Sequence, residues 1–315
     1  MEYPESRTSK AAPLGEVAIR VDHLAVQYRS KVRSVEAVRD LSFEVREGEV
    51  VGFLGPNGAG KSSTIKALIG FLSPAAGTCQ IFGLKAGTLE AKATIGYLPE
   101  VATYYPFLTP LETLKLYGKL QCLKGPSLDR EAKELLSLVG LEQAIRKQNR
   151  ALSKGMLQRV GIAQSLLGNP RLLILDEVTS GLDPVGRRQL RQILKDRQKK
   201  GATLFFSSHE LSEVEGICDR ILLIDKGSLI DERVVLDLKD ALRKYSLRFT
   251  GDAPMFGLAQ QWSESDGNWI AEFADKERLL EGIDRVTSAG GKVLDVVSQE
   301  GSLEDYFVET IGRAA

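Results

Sequence analysis

Short apolar runs of strand length alternate with segments of helical period along most of the chain. Runs that are apolar throughout are typical of strands buried on both faces of a parallel sheet, whereas partial alternation indicates a half-exposed strand. We predict strands at residues 17–28 (one strand or a hairpin), 38–45, 50–54, 78–82, 95–100, 172–177, 203–208 with His209 just past its end, and 221–224, the last being the final strand of this block. We predict helices at residues 63–69, 111–120, 129–139 with Ser127 as cap, 153–167 and 184–200. This order of elements predicts an α/β fold.

The arrangement of apolar and polar positions changes near residue 236, which indicates the start of a second domain. Strands are predicted at residues 245–250, 268–273 and 292–297, with helices at 276–288 and 302–311. This region contains no phosphate loop, paired carboxylates or metal-ligand spacing. We therefore expect three parts: a flexible N-terminus at 1–15, a catalytic domain at 16–235 and a small α+β accessory domain at 236–315.

A glycine-rich segment follows the apolar run at 50–54 and leads into a helical pattern. Its sequence matches the phosphate loop GxxxxGK[ST], and its members are Gly55, Pro56, Asn57, Gly58, Ala59, Gly60, Lys61 and Ser62, with Ser63 opening the helix. Such a loop directs backbone N–H groups and the positive end of the helix at a polyphosphate. Lys61 is expected to contact the β- and γ-phosphates, and the Ser62 hydroxyl to bind Mg²⁺.

Composition limits the remaining possibilities. The chain has 315 residues, and its 42 basic and 42 acidic side chains cancel, so net charge does not indicate nucleic acid as a partner. Its three cysteines stand far apart without a CxxC pattern, which favours a reducing compartment over a disulfide framework or a zinc site. No stretch approaches the roughly 18 apolar residues of a membrane span. Any association with a membrane is thus expected to depend on a partner.

Two carboxylates and a histidine supply the chemistry that a phosphate loop lacks. Asp176 and Glu177 end the apolar run at 172–175, and His209 follows another predicted strand. The carboxyl ends of strands in open α/β sheets hold ligands, so Asp176 is expected to bind Mg²⁺ and Glu177 to orient or deprotonate the attacking water. His209 is expected to contact the γ-phosphate. Taken singly each residue also has a purely structural interpretation, but together with the loop they indicate nucleotide hydrolysis.

Five motifs in order resemble those of the ATP-binding cassette subunit of membrane transporters, over about residues 17–231. They are the loop at 55–62, the segment Leu-Ser-Lys-Gly-Met-Leu-Gln-Arg at 152–159, the strand and carboxylates at 172–177, Ser-Gly-Leu-Asp at 180–183 and Ser-His-Glu at 208–210. The resemblance implies a P-loop cassette with a mostly parallel central sheet, an antiparallel β subdomain and a helical subdomain. It also implies ATP and Mg²⁺ as cofactors.

The resemblance assigns further residues to a shared site. Family cassettes dimerise head to tail, and each ATP lies between the phosphate loop of one copy and the signature segment of the other, which corresponds here to residues 152–159. By analogy, Ser153 and Gly155 would contact the γ-phosphate held by the second copy, and Asp183 would lie at the dimer seam. Tyr28 would stack on adenine, although a tyrosine that only packs is the alternative.

The chain departs from the common family pattern in two places. Lys154 and Met156 replace glycine and glutamine, a form that looks like a bacterial-type exporter branch whose cassette and membrane subunits are separate chains. Glu100 stands where the family usually has a glutamine that contacts Mg²⁺. The aromatic residues Tyr104, Tyr105 and Phe107 follow, where family members meet the membrane subunit; ordinary local packing is the alternative.

The sequence therefore predicts the ATPase subunit of an ABC exporter, on the cytoplasmic face of the membrane through a separately encoded permease. The cassette partner would be a second copy or a related chain, and no nucleic-acid partner is expected. The alternatives are an importer ATPase, a soluble ABC ATPase that acts on ribosomes or DNA, and a P-loop kinase. The soluble class usually carries two cassettes or a long coiled coil, and a kinase of this type has no need of residues 153–159 or Asp183.

Overall fold

The computed structural model describes residues 16–29, 34–208, 216–251, 257–265, 268–299, 306–307 and 310. The chain forms two compact units, Met1–Glu232 and Arg233–Ala315. The strands are β1 (Val17–Arg29), β2 (Ser34–Arg46), β3 (Val50–Leu54), β4 (Ala76–Ile81), β5 (Leu84–Lys85), β6 (Ile95–Leu98), β7 (Leu172–Asp176), β8 (Thr203–Ser208), β9 (Arg220–Asp225), β10 (Ser228–Val234), β11 (Lys244–Thr250), β12 (Gln261–Ser265), β13 (Asn268–Phe273) and β14 (Lys292–Gln299). The α-helices are α1 (Lys61–Leu68), α2 (Leu89–Ala93), α3 (Pro110–Leu120), α4 (Gly125–Leu138), α5 (Lys154–Ser165), α6 (Pro184–Lys199), α7 (Val235–Ala241) and α8 (Lys276–Ser288).

A six-stranded sheet in the order β10-β9-β3-β8-β7-β6 forms the centre of the first unit. The pairs β3-β8, β3-β9, β6-β7 and β7-β8 are parallel. Every residue of β3, β7 and β8 is buried, which explains why their sequences are apolar along both faces. Ser207 is the register partner of both Phe53 and Asp176. The carboxyl ends of these three strands therefore lie at one edge of the sheet, and the phosphate loop leaves β3 at that edge.

A second sheet in the order β2-β1-β4-β5 is antiparallel and contributes to the same core. Three phenylalanines connect it to the parallel sheet. The Phe43 ring on β2 stacks on Phe205 of β8 with centroids 5.7 Å apart, and Phe53 of β3 lies 5.2 Å from Phe205. All three side chains are buried. This packing fixes the strand that carries Tyr28 relative to the strand that leads into the phosphate loop, because β1 pairs with β2 along its length.

Helices α3, α4 and α5, which follow β6 and precede β7 in the sequence, pack on one another. Helix α3 begins with a capping box in which Thr109 and Glu112 exchange hydrogen bonds. Asp129 of α4 accepts a 2.8 Å hydrogen bond from Lys115 of α3. The mixed architecture of a largely parallel sheet, an antiparallel sheet and a group of helices confirms the predicted fold class.

The second unit contains a four-stranded antiparallel sheet in the order β12-β13-β11-β14. Helix α8 covers it through Leu279 and Val286, which share a core with Leu247, Phe249 and Phe273. Asp275 caps the helix by accepting from the backbone N–H of Arg278. The fold of this unit agrees with the predicted α+β pattern.

Several predicted boundaries were wrong. Ser127 does not cap α4; the helix begins at Gly125, and the Ser127 hydroxyl donates to the carbonyl of Lys124. The strand at 221–224 is not the last of its block, because β10 follows it at the sheet edge. Helices α2 and α7 and strand β12 were not predicted. Residues 1–15 and 209 lie outside the described residues, as does most of the predicted helix at 302–311.

Candidate nucleotide-binding site

The phosphate loop is held in place by close backbone contacts. A side chain at Gly55 would bring a Cβ within 2.2 Å of the carbonyl oxygen of Ile224 in β9. Gly60 adopts φ +110° as the residue before α1, and a Cβ there would lie 2.6 Å from the carbonyl oxygen of Ala37. The loop passes so close to β9 and β2 that only glycine fits at both positions. Lys61 follows as the first residue of α1.

Lys61 is enclosed by the loop that it follows. Its Nζ donates to the carbonyl oxygens of Gly55 at 2.7 Å and Pro56 at 3.2 Å. Nζ also lies 3.9 Å from Oε1 of Glu177. Burial lowers the pKa of Lys61, while the negative charges of Glu177 and Asp176 oppose that shift. The side chain is 6% exposed, so its charge acts where little water can screen it.

Asp176 and Glu177 stand at the end of β7, beside the first turn of α1. Asp176 is 3% exposed, and its Oδ1 lies 3.4 Å from the donating Ser62 hydroxyl. Oδ1 also accepts a 2.6 Å hydrogen bond from the Ser207 hydroxyl. The backbone N–H of Glu177 donates to the same Ser207 oxygen at 3.1 Å. Glu177 adopts φ +50°, a left-handed conformation that costs a non-glycine residue roughly 1 kcal/mol or more and clusters at functional sites.

A cleft of about 550 Å³ opens beside the loop. Its lining residues are Tyr28, Val35, Glu36, Ala37, Asn57, Gly58, Gly60, Lys61, Ser62, Ser63, Glu100 and Glu177. The Tyr28 hydroxyl is 3.1 Å from the Ser63 hydroxyl oxygen, and the side chain is 40% exposed. The cleft thus has phosphate-binding groups on one side and an aromatic ring on another, which suits a nucleotide.

The residues of the signature segment and of 180–183 are not among those that line this cleft. Ser153 is exposed and caps α5, where its hydroxyl accepts from the N–H of Met156 at 3.2 Å. Asp183 caps α6 by accepting from the N–H of Gly186 at 2.8 Å, and its side chain is 66% exposed. Gly155 makes a close backbone approach to Gly181. The position of His209 lies outside the described residues.

The sequence did not identify two parts of the site. Ser207 contacts both carboxylate residues, but a serine in an apolar strand carries no motif of its own. Val35, Glu36 and Ala37 line the cleft because β2 pairs with β1, so that Val35 lies opposite Tyr28. Only the register of the hairpin could have located them.

A second, apolar groove of about 720 Å³ lies near the aromatic segment. Tyr104 lines it and packs edge-on against Tyr117, with ring centroids 5.9 Å apart. Burial raises the pKa of Tyr104. Tyr105 and Phe107 contact one another and are 57% and 61% exposed. Tyr104 thus packs locally, whereas Tyr105 and Phe107 are exposed.

The fold and the cleft define a P-loop nucleotide-binding cassette. The model of the ABC transporter family matches residues 38–180. An ABC transporter ATP-binding protein of Synechocystis is 36% identical over 283 residues, which cover 89% of this chain and 79% of the relative. The bacitracin transport ATP-binding protein BcrA of Bacillus licheniformis is 36% identical over 298 residues, covering 89% and 94%. The fluoroquinolones export ATP-binding protein of Mycobacterium tuberculosis is 32% identical over 312 residues, covering 98% of both chains.

Solved structures show the same fold. An ATP-binding subunit of an ABC transporter superposes with a TM-score of 0.65 at 31% identity, covering 70% of this chain and 92% of that one. The bacterial ABC transporter cassette MJ0796, in a dimeric structure, gives 0.65 at 25% identity, covering 69% and 98%. This chain belongs to the ABC transporter ATP-binding family. It is the ATP-binding, ATP-hydrolysing subunit of an ABC transporter. None of the helices in the described part of the chain is long and apolar enough to cross a bilayer.

Proposed function

We propose that this ATPase drives an exporter, as a cassette dimer attached to a separately encoded permease. The named functions of its relatives support export: BcrA is a bacitracin transport protein, and the mycobacterial relative is named for fluoroquinolone export. Both relatives match along nearly their whole length, so the similarity includes the region after residue 236. An importer is the competing assignment. A neighbouring reading frame for a membrane protein of about six spans, without a substrate-binding protein, would favour export.

The observation that carries the ATPase mechanism proposed here is the convergence of Lys61, Ser62, Asp176 and Glu177 beside one cleft. In our proposal Tyr28 stacks on adenine, and the backbone of residues 55–63 surrounds the phosphates. Lys61 exchanges its two loop carbonyls for β- and γ-phosphate oxygens. Because those carbonyls are only weak partners for an ammonium group, a polyphosphate displaces them readily.

The donor set also fits Mg²⁺. The Ser62 hydroxyl and the buried Asp176 carboxylate lie 3.4 Å apart and are hard oxygen ligands. Glu100 lines the same cleft and offers another carboxylate. We therefore propose Ser62, Asp176 and Glu100 as the residues that hold the ion, directly or through water. The ion would neutralise phosphate charge; Ser207 keeps Asp176 oriented towards it.

Glu177 is proposed as the general base. Its carboxylate lines the cleft next to Lys61, where an in-line water must stand to attack the γ-phosphate. The backbone hydrogen bond to Ser207 holds it on the strand tip. His209 is proposed to contact the γ-phosphate; it follows β8, whose end lies at the same edge of the sheet.

The remaining predicted residues are assigned to the partner's nucleotide. Ser153 and Asp183 are exposed, and Gly155 lies on the first turn of α5, so these groups are open to a second copy. The helix N-terminus adds a partial positive charge suited to a γ-phosphate. The dimeric structure of the MJ0796 cassette supports this arrangement. We assign residues 16–235 to ATP binding and hydrolysis and 236–315 to an accessory role. The permease would hold the subunit at the cytoplasmic face of the membrane, and exposed Tyr105 and Phe107 are proposed to contact it.

Glu177→Gln tests the proposal. ATP affinity should stay within about twofold of wild type, because binding uses the loop and the ion, whereas single-turnover hydrolysis should fall by about 10²-fold or more. ATP should then trap a dimer, measured by sedimentation. Glu90→Gln, on the exposed helix α2, is the matched control and should hydrolyse ATP normally. Phosphate release by Glu177→Gln at the wild-type rate would refute the assignment of the base.

A further inference from the structure

Helix α5 is tied to the loop that follows the proposed base, at the peptide between Val178 and Thr179. Gln158 is 4% exposed, and its Nε2 donates a 3.1 Å hydrogen bond to the carbonyl oxygen of Val178. Val178 is the residue next to Glu177 and is itself buried. A buried side-chain amide that donates to a loop carbonyl fixes that peptide plane, because a buried carbonyl left without a donor is unfavourable. Gln158 therefore constrains the backbone immediately after Glu177.

The first turn of α5 also touches the same loop directly. A Cβ on Gly155 would lie 2.8 Å from the carbonyl oxygen of Gly181. Gly181 has φ +79°, and a Cβ there would lie 3.3 Å from the side chain of Lys154. This close approach leaves little space for the loop to move independently of the helix.

Arg159 holds the far end of the loop. Its guanidinium donates to the carbonyl oxygen of Val139 and to Oε1 of Gln189, each at 2.7 Å. The other terminal nitrogen is 3.7 Å from Oδ1 of Asp183, which also caps α6. Residues 178–183 are thus fixed against α5 at both ends.

We propose that Gln158 is a positioning residue for Glu177. Ser207 fixes the peptide N–H of Glu177 from β8, and Gln158 fixes the carbonyl of Val178 from α5. The two hydrogen bonds flank the backbone of Glu177 and Val178, where Glu177 has φ +50°, and they limit the directions in which its carboxylate can point. Removal of the Gln158 bond lets this unfavourable conformation relax, and the carboxylate then spends less time in line with the γ-phosphate.

This inference depends on the proposed function, in which Glu177 is the general base. It adds a residue of α5, outside the cleft, that controls the direction of that base.

Gln158→Met in the full chain tests the inference, since it keeps the side-chain volume and removes the donor. We expect kcat to fall by about 10- to 100-fold with the Kd for ATP unchanged. In a Glu177→Gln background, Gln158→Met should cause no further loss of the residual single-turnover rate. Ser165→Ala is the matched control: Ser165 is a buried polar residue of α5 whose hydroxyl bonds within the helix, to Ile162, and its loss should leave kcat unchanged.

Wild-type kcat in Gln158→Met would overturn the inference while leaving the proposed function intact. An equal further loss in the Glu177→Gln background would also overturn it, because Gln158 would then act independently of the base. If thermal melting shows that Gln158→Met does not fold, Arg159→Lys serves instead, since Arg159 is half-buried and holds the other end of the loop. A lower kcat with unchanged Kd supports the positioning of Glu177 through this loop, and an unchanged kcat refutes it. Full single-turnover activity in Glu177→Gln alone would refute the assignment of Glu177 as the base, on which the inference rests.

Discussion

The hydroxyl of Ser207 donates a 2.6 Å hydrogen bond to Oδ1 of Asp176, and both side chains are buried. The two residues are register partners on neighbouring parallel strands, so the pairing of β7 with β8 sets this contact. The same hydroxyl oxygen accepts from the N–H of Glu177. One serine thus orients the proposed metal ligand and anchors the proposed base.

Ser207→Ala should slow hydrolysis and weaken the response to Mg²⁺. A hydrogen bond to a charged group contributes about 1.5–3 kcal/mol, which corresponds to a loss of roughly tenfold or more in kcat/KM. Titration of ATPase activity with Mg²⁺ should show a higher half-saturating concentration. Thr203→Val is the matched control, because Thr203 begins the same strand and its hydroxyl oxygen accepts from the N–H of Gly48, far from the carboxylates. If both variants lose the same activity, Ser207 acts only through the stability of β8.

Ser153→Arg should block ATP-driven dimerisation without weakening ATP binding by the monomer. The phosphate loop of the same chain is untouched, while the long cation occupies the exposed end of α5. Loss of the hydrogen bond by which Ser153 caps the N–H of Met156 costs about 1 kcal/mol of stability by itself. Asp275→Ala removes a comparable cap in the second unit and serves as the control; it should still dimerise. Sedimentation with ATP in a Glu177→Gln background measures the effect, and equal loss of monomer binding would mean that the segment acts in cis.

The sequence predicted the central parts of the fold because they depend on local pattern. Buried strands such as β3 and β7 are apolar throughout, and the glycines of the loop are required by contacts to Ile224 and Ala37. Helices α5 and α6 were predicted at the right start because Ser153 caps the first and Pro184 opens the second, while the cap formed by Asp183 was not predicted. Local chemistry also placed Asp176 at a strand end.

What the sequence missed depends on tertiary packing. Strand β10 has a mixed, partly exposed sequence at the sheet edge, so no apolar run marks it. Ser127 resembles a cap, yet the helix begins two residues earlier at Gly125 and includes Pro126 in its first turn. Ser207 and Gln158 gain their roles from partners 31 and 20 residues away. Neither separation corresponds to a helical or strand period, so the contacts had no local signal.

Asp129 should make the helical region sensitive to acid. Hydrogen bonds from Lys115 and Lys133 lower the pKa of Asp129 to about 2, from an ordinary value of 3.8. Since the folded state holds the carboxylate ionised, its stabilising contribution is complete above the ordinary value and is lost as the pH falls towards 2. The difference in Tm between wild type and Asp129→Asn should therefore be largest at neutral pH and shrink between about pH 4 and pH 2. Lys115→Met in the Asp129→Asn background should add little, and 0.5 M salt should reduce the difference because these groups are partly exposed. A difference in Tm that is the same at pH 7 and pH 2 would contradict the ion-pair interpretation.

A chain that ends after Val234 should remain an ATPase. The cut keeps β10 whole, and it retains Glu232, which pairs with Arg220; that arginine also binds Glu49 at 2.7 Å at the start of the phosphate-loop strand. The second unit has its own core around Phe249 and Phe273, so its removal takes away a separately packed structure. We expect ATP binding and Glu177-dependent hydrolysis to persist, while dimerisation or coupling to the permease changes.

Thermal unfolding separates this outcome from a folding defect. A truncated chain that melts cooperatively and hydrolyses ATP supports an accessory role for residues 236–315. If it melts cooperatively yet no longer binds ATP, the second unit contributes to the nucleotide site and the assigned division of labour is wrong. The truncated chain that also carries Arg220→Met provides the stability reference, because the half-buried Glu49 carboxylate then loses its partner. Since Arg220 and both of its partners lie in the first unit, the substitution should lower Tm equally in the full-length and truncated chains; a loss confined to the full-length chain would contradict the independence of the first unit.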